Sequence, residues 1–213
     1  MRRYNYFILG LILILQSCTT SAQSETPSEI ESKKYKQFSK AYFASGCFWC
    51  VETIYESVKG VKEVYSGYSG GFTKNPTYAS SNTGKTGHAE SVMVIYDENK
   101  INFSTLVDVY FGSQNISQKN GQGPDIGSQY RSIIFFKNSD EKKVINSKIK
   151  KLEDKGIYVA AEIKKFENFW FAEEYHQNYK TKHPNNSYIQ NVSNPRFKRF
   201  KLKFSELIKK NKQ

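Results

Sequence analysis

The segment Gly46-Cys47-Phe48-Trp49-Cys50 sets two thiols one helical turn apart beside two large aromatic rings. Such a pair can exchange with disulfides, bind a metal ion or reduce an oxidised substrate, and the two rings supply an apolar wall for whatever it meets. Residues 40–44 read as a short strand, and apolar residues recur at helical spacing over 48–55. Cys47 is therefore expected where a strand gives way to a helix. Unpaired amides and the helix dipole favour an anion there, so its thiol pKa is predicted to fall from about 8.5 into a range of roughly 3.5 to 7.5. Cys47 is the predicted nucleophile.

Other blocks carry acids and phenols. Gly87-His88-Ala89-Glu90 brings a carboxyl to the start of a predicted central strand, where apolar surroundings would keep it protonated and able to act as an acid. Asp125, Tyr130 and Arg131 lie at the end of a Gly-, Asn- and Gln-containing loop over residues 113–129, and Tyr78 lies in another glycine-flanked loop. Arg131 is expected to fix Asp125 or Glu52. His88 is read as a structural residue near the strand start, and His176 as a packing residue behind the site. Two rival readings remain open at this stage: a thioredoxin-like dithiol–disulfide oxidoreductase, and a zinc module on Cys47, Cys50, His88 and His176.

The elements that must position these groups follow from periodicity. Strands are predicted over 60–68, 89–96, 131–137 and 159–166, with helices over 48–55, 103–111 and 141–155. The order βα, ββ, αβ, αβ predicts an α+β protein, a ferredoxin-like two-layer sandwich with extended loops and a C-terminal extension. A chain of 213 residues accommodates one catalytic domain, placed at 39–190.

Both ends differ from that domain. Met1-Arg2-Arg3, an apolar run over 7–15 and then Cys18 after a small residue resemble a bacterial lipoprotein signal, with Cys18 lipidated; a cleaved signal ending near Ala22 is the alternative. The expectation is an exported, membrane-anchored protein facing the periplasm or cell exterior. Residues 19–38, rich in Ser, Thr, Glu and Lys, read as a disordered tether. With Cys18 committed to lipid, Cys47 and Cys50 are the thiols left for redox chemistry. The formal net charge is +12, much of it in residues 191–213, where Phe197, Phe200 and Phe204 recur at helical spacing. A basic amphipathic helix packed on the domain is expected there; nothing points to nucleic acid.

Five ordered blocks, Gly46 to Glu52, Gly67-Tyr68-Ser69-Gly70-Gly71, Asn75-Pro76-Thr77-Tyr78, Thr86-Gly87-His88-Ala89-Glu90 and Gln129-Tyr130-Arg131-Ser132, resemble peptide methionine sulfoxide reductase of the A type, with Glu174-Tyr175-His176-Gln177 further on. The resemblance covers roughly residues 40 to 185. It implies reduction of methionine S-sulfoxide, free or in oxidised proteins, by a monomer without bound cofactor. Cys47 would attack the sulfoxide sulfur, Glu90 would protonate the oxygen, and Tyr78, Tyr130 and Asp125 would surround it. Phe48 and Trp49 would enclose the S-methyl group. Members of the family commonly resolve the resulting sulfenic acid with a cysteine in the C-terminal tail, which this chain lacks, so a Cys47–Cys50 disulfide recycled by a thioredoxin-like donor is expected. Where the family usually shows His-Asp-Pro, this chain has Gln114-Asn115-Ile116.

Overall fold

The computed structural model describes residues 26–210; Cys18, the apolar run before it and residues 19–25 of the expected tether lie outside them. The rest of that tether is not disordered. Residues Pro27–Lys34 form helix α1, started by a reciprocal bond pair between Thr26 and Glu29 with Pro27 at its first position. Glu31 then pairs with Lys40, and the Tyr35 hydroxyl donates to Glu63 at 2.8 Å. The low apolar content of this stretch concealed a local cap and two tertiary anchors.

Three long strands build the centre: β1 (Ser39–Ala44), β2 (Val61–Ser69) and β3 (Ala89–Tyr96). Between them come α2 (Phe48–Glu56) and α3 (Tyr78–Asn82), and α4 (Phe103–Gly112) follows β3. A small hairpin, β4 (Gly121–Gln122) and β5 (Asp125–Ile126), precedes β6 (Ile133–Phe136), α5 (Ser139–Glu153), β7 (Glu162–Lys165) and β8 (Phe169–Phe171). Helices α6 (Tyr179–Lys182) and α7 (Asn194–Lys203) close the chain. The six-stranded sheet has the order β7-β6-β1-β3-β2-β8, and every neighbouring pair is antiparallel except β6 with β7. The α+β class is the expected one. The four strands β6-β1-β3-β2 keep the βαββαβ connectivity, and β7 and β8 widen the sheet at both edges.

Strand alternation divides the interior in two. Val92, Val94 and Tyr96 of β3 join α2 and α4 in the larger core, while Ala89, Met93 and Ile95 join Tyr42, Tyr65 and Phe135 on the opposite face. Each large apolar side chain buried this way stabilises the fold by about 1.5–3 kcal/mol. Because Glu90 shares the phase of Val92 and Val94, alternation turns it toward the helical layer, under the first turn of α2.

The C-terminal segment is tied to the rest of the fold by contacts that run past residue 190. Phe200 is fully buried, the Lys59 amide donates to the Leu207 carbonyl at 2.8 Å, and Val58 bridges Ile208. Arg196 of α7, 8% exposed, donates to the carbonyls of Ser113 and Ser45, both at 2.9 Å, and to Ser45 Oγ at 3.1 Å. It thereby clamps the loop that enters α2.

That loop turns through Gly46 at φ +79°, and a β-carbon there would stand 2.5 Å from Gln122 Cβ. Both the backbone sign and the close approach require glycine. Gly46→Ala is expected to destabilise the protein by about 2 kcal/mol or more, read as a lower midpoint in denaturant unfolding.

Candidate active site

Cys47 is the N-cap residue of α2, as its place between strand and helix predicted. Its protonation is another matter. Burial, with 6% of the residue exposed, pushes the Cys47 thiol well up, and its hydrogen bond with Cys50 and the charges of Cys50 and Glu90 act in the same direction. The helix dipole contributes at most about 2 kcal/mol, roughly 1.5 pKa units, whereas full burial is worth up to about 3–5 units. Burial wins, and the lowered Cys47 pKa expected from sequence is corrected. The thiol held down is Cys50, to about 6, first by its interaction with Cys47 and then, against its own burial, by the Arg196 guanidinium and the Tyr188 hydroxyl 3.8 Å away. Of the two thiols, Cys50 is the one that ionises more readily.

Glu90, 2% exposed, accepts the Phe48 amide at 3.0 Å, directly beneath the helix start. Burial raises its carboxyl to about 8, opposed by that amide and assisted by the charges of Asp125 and Cys50. At pH 7 it carries its proton. Tyr78 opens α3, and Tyr130 ends a short 3-10 turn at Ser128–Tyr130; burial holds both phenols above their usual range, so both remain neutral donors. Asp125 is carried by the β4–β5 hairpin, whose two-residue turn begins at Gly123 with φ +61°. Its carboxyl is raised by burial against a 2.5 Å bond from the Tyr188 hydroxyl.

These groups converge. A cavity of about 210 Å³ is lined by Cys47, Phe48, Trp49, Tyr78, Glu90, Asp125 and Tyr130, all of them predicted site residues, together with Asn186 and Tyr188. Cys50 is not on its wall. It lines a separate cleft of about 440 Å³, and Tyr188 and Asp125 border both spaces.

The aromatic wall is tied down from the chain's last third. Trp49 stacks on Tyr179 at 3.7 Å and donates its Nε1–H to His176 Nδ1 at 3.1 Å. Burial lowers His176 to about 4, so it stays neutral and accepts that bond. Glu173 accepts the Tyr78 amide and the Tyr68 hydroxyl, both at 2.9 Å, which fixes the start of α3 against the sheet. Tyr188, Glu173 and Asn186 went unnoticed in the sequence, where Tyr188 and Asn186 sit in an Asn- and Ser-containing loop without periodicity, and Arg196 counted there only as part of the basic C-terminal run.

Arg131 does not reach Asp125 or Glu52. It pairs with Glu162 at 3.0 Å and donates to the carbonyls of Ser128 and Gly87, locking the Tyr130 turn to the loop before Glu90. Glu52 accepts the Asn178 amide at 3.1 Å instead. His88 is bonded to the Gly71 amide and the Thr73 carbonyl, a structural position. Gln114, where the resemblance implied a histidine, is held in place: its Oε1 accepts from Gln122 and Ser132, and its Nε2–H donates to the Tyr110 carbonyl. Among the described residues no three His, Cys, Asp or Glu side chains gather as metal ligands.

A buried thiol facing a neutral carboxyl and neutral phenols, with a second thiol one turn away, defines a thiol-dependent reductase of a small polar group. The profile of the family described as peptide methionine sulfoxide reductase matches residues 39–208. Peptide methionine sulfoxide reductase MsrA of Pasteurella multocida is 42% identical over 171 residues, covering 80% of this chain and 98% of its own, and that of Polynucleobacter asymbioticus is 40% identical over 184 residues, covering 85% and 97%. Among solved structures, methionine sulfoxide reductase A of Corynebacterium diphtheriae superposes with a TM-score of 0.64 at 30% identity, covering 70% of this chain and 76% of that one. Mxr1 of Saccharomyces cerevisiae in reduced form gives 0.65 at 30% identity, covering 70% and 87%. The chain belongs to the peptide methionine sulfoxide reductase family. It is an enzyme that reduces methionine sulfoxide.

The raised Glu90 pKa has a consequence for stability. The folded state binds one more proton than the unfolded state between about pH 4.5 and pH 8, so this group's contribution is intact below that window and is lost as pH rises through it. Glu90→Gln removes the penalty. Denaturant unfolding is expected to show the variant gaining on wild type from pH 5 to 8, by on the order of 3 kcal/mol, with the difference level above.

Proposed function

We propose that the reaction runs through the two thiols in turn. The sulfoxide enters the 210 Å³ cavity with its S-methyl against Phe48 and Trp49 and its oxygen toward Glu90, Tyr78 and Tyr130. Cys47 attacks the sulfur while its proton passes to the Cys50 thiolate, and Glu90 gives its proton to the sulfoxide oxygen. The product thioether leaves, and Cys47 retains the oxygen as a sulfenic acid. Cys50 then attacks the Cys47 sulfur, water departs, and a Cys47–Cys50 disulfide remains. Two thiols have lost two electrons and the sulfoxide has gained them. The observation that carries this reading is the sharing of one cavity by Cys47 and Glu90, with Cys50 on the next turn of the helix, its amide donating to the Cys47 carbonyl at 3.1 Å.

The electron donor in this reading is a thioredoxin-like dithiol protein. Preference for the S epimer, in free methionine or in oxidised peptides, follows family likeness, and assay of each epimer separately tests it. An anchor at Cys18, with the enzyme outside the cytoplasm, follows the lipobox resemblance. Incorporation of a fatty-acid probe into wild type and its loss in Cys18→Ser supports that; unlabelled wild type rejects it.

Cys50 has two roles here, base and resolving thiol, and they separate experimentally. In single turnover at pH 7, Cys50→Ser is expected to release methionine about tenfold more slowly than wild type and to gain rate as pH rises and Cys47 ionises unaided. In multiple turnover with a thioredoxin donor it is expected to stall after one equivalent. Full multiple turnover by this variant would refute the resolving role.

A further inference from the structure

The two thiols open onto different spaces, Cys47 onto the substrate cavity and Cys50 onto the larger cleft behind it. That cleft ends on buried groups, Cys50 at 2% exposure and Arg196 at 8%, and widens to exposed Arg199 and Lys203 of α7. Three cations line it against a single carboxylate, Asp125, which is already bonded to Tyr188. Arg196 is spent on the carbonyls of Ser113 and Ser45, and neither Arg199 nor Lys203 has an acidic partner among the described residues. Its 440 Å³ falls within the usual range of small-molecule sites, roughly 300–1,000 Å³.

We propose that this cleft binds a small thiol bearing carboxylate groups, which seats its charges on Arg199 and Lys203 and reduces the enzyme by attacking Cys50. The proposal rests on the Cys47–Cys50 disulfide of the preceding section and adds a second reductant with its own route. The thiolate attacks Cys50 Sγ, the sulfur on the cleft wall, and the Cys47–Cys50 bond breaks with its electron pair going to Cys47. The departing Cys47 thiolate takes up a proton from Glu90, which solvent has reprotonated after turnover, in the cavity the two groups share. A mixed disulfide on Cys50 remains. A second molecule of the small thiol attacks that disulfide's outer sulfur, releasing the small disulfide and the Cys50 thiolate, so two small thiols are oxidised for each enzyme disulfide reduced. Substrate and reductant thus use two spaces that share Tyr188 and Asp125 as lining, and neither has to vacate the other's space.

The test begins with full-length enzyme oxidised by one equivalent of a methionine sulfoxide peptide, its disulfide verified by mass and by resistance to alkylation. Reduction is then followed with mercaptosuccinate, 2-mercaptoethanol and cysteamine, each rate corrected for thiolate fraction and nucleophilicity. Mercaptosuccinate is expected to exceed 2-mercaptoethanol by about tenfold, to saturate, and to lose its advantage with added salt. Cysteamine should be slowest. In the double variant Arg199→Glu, Lys203→Glu the advantage should vanish while first-turnover methionine release stays at the wild-type rate. Equal corrected rates for the three thiols, or a preference that survives the double variant, would overturn the cleft assignment alone. Failure to form the intramolecular disulfide would overturn it together with the resolving role of Cys50.

Discussion

The site depends on one hydrogen bond in a dry place: the amide of Phe48, at the open end of α2, donating to the carboxyl of Glu90 on the central strand. It joins the helix that carries both cysteines to the strand that carries the acid, and so sets the distance across which sulfoxide is handled. The same bond would by itself ionise Glu90. Burial outweighs it, leaving the carboxyl near 8, and an acid that keeps its proton at neutral pH is what a departing sulfoxide oxygen needs.

Around that pair the fold supplies rigidity from distant stretches of chain. Arg196 holds the loop before Cys47 from the last helix, Glu173 fixes Tyr78, and His176 holds the Trp49 indole. Each of these side chains lies more than 90 residues from what it positions. The cost is buried polar groups, some left without a hydrogen bond, among them Ser193 Oγ beside α7 and His176 Nε2, which faces Glu173 at 3.9 Å. The two thiols open onto different spaces, and their proton affinities diverge because burial raises Cys47 while the interaction with Cys47 and the Arg196 charge lower Cys50.

What could be read from sequence was what is local or periodic. Strand alternation and helical spacing located β1, β2, β3, α2 and α4, and the blocks around Cys47, Tyr78, Glu90 and Tyr130 identified the groups that now share one cavity. The capping signal at Thr26-Pro27-Ser28-Glu29 was also local, but the polar composition around it read as disorder. What could not be read was produced by chain return. Tyr188 and Arg196 lie in stretches whose only local signals are loop composition and basic charge, and their contacts lie 60 to 150 residues away. The direction of the Cys47 pKa failed for the same reason. Helix position is a property of the local sequence, whereas desolvation belongs to the assembled core.

Difference infrared spectroscopy of wild type against Glu90→Gln, recorded from pH 5 to 10, reports the protonation of this one carboxyl directly. A carboxylic-acid C=O band present at pH 7 in wild type, absent in the variant and half lost near pH 8, is the result required. A carboxylate spectrum from Glu90 already at pH 6 would mean that the acid opposite Cys47 has no proton to give.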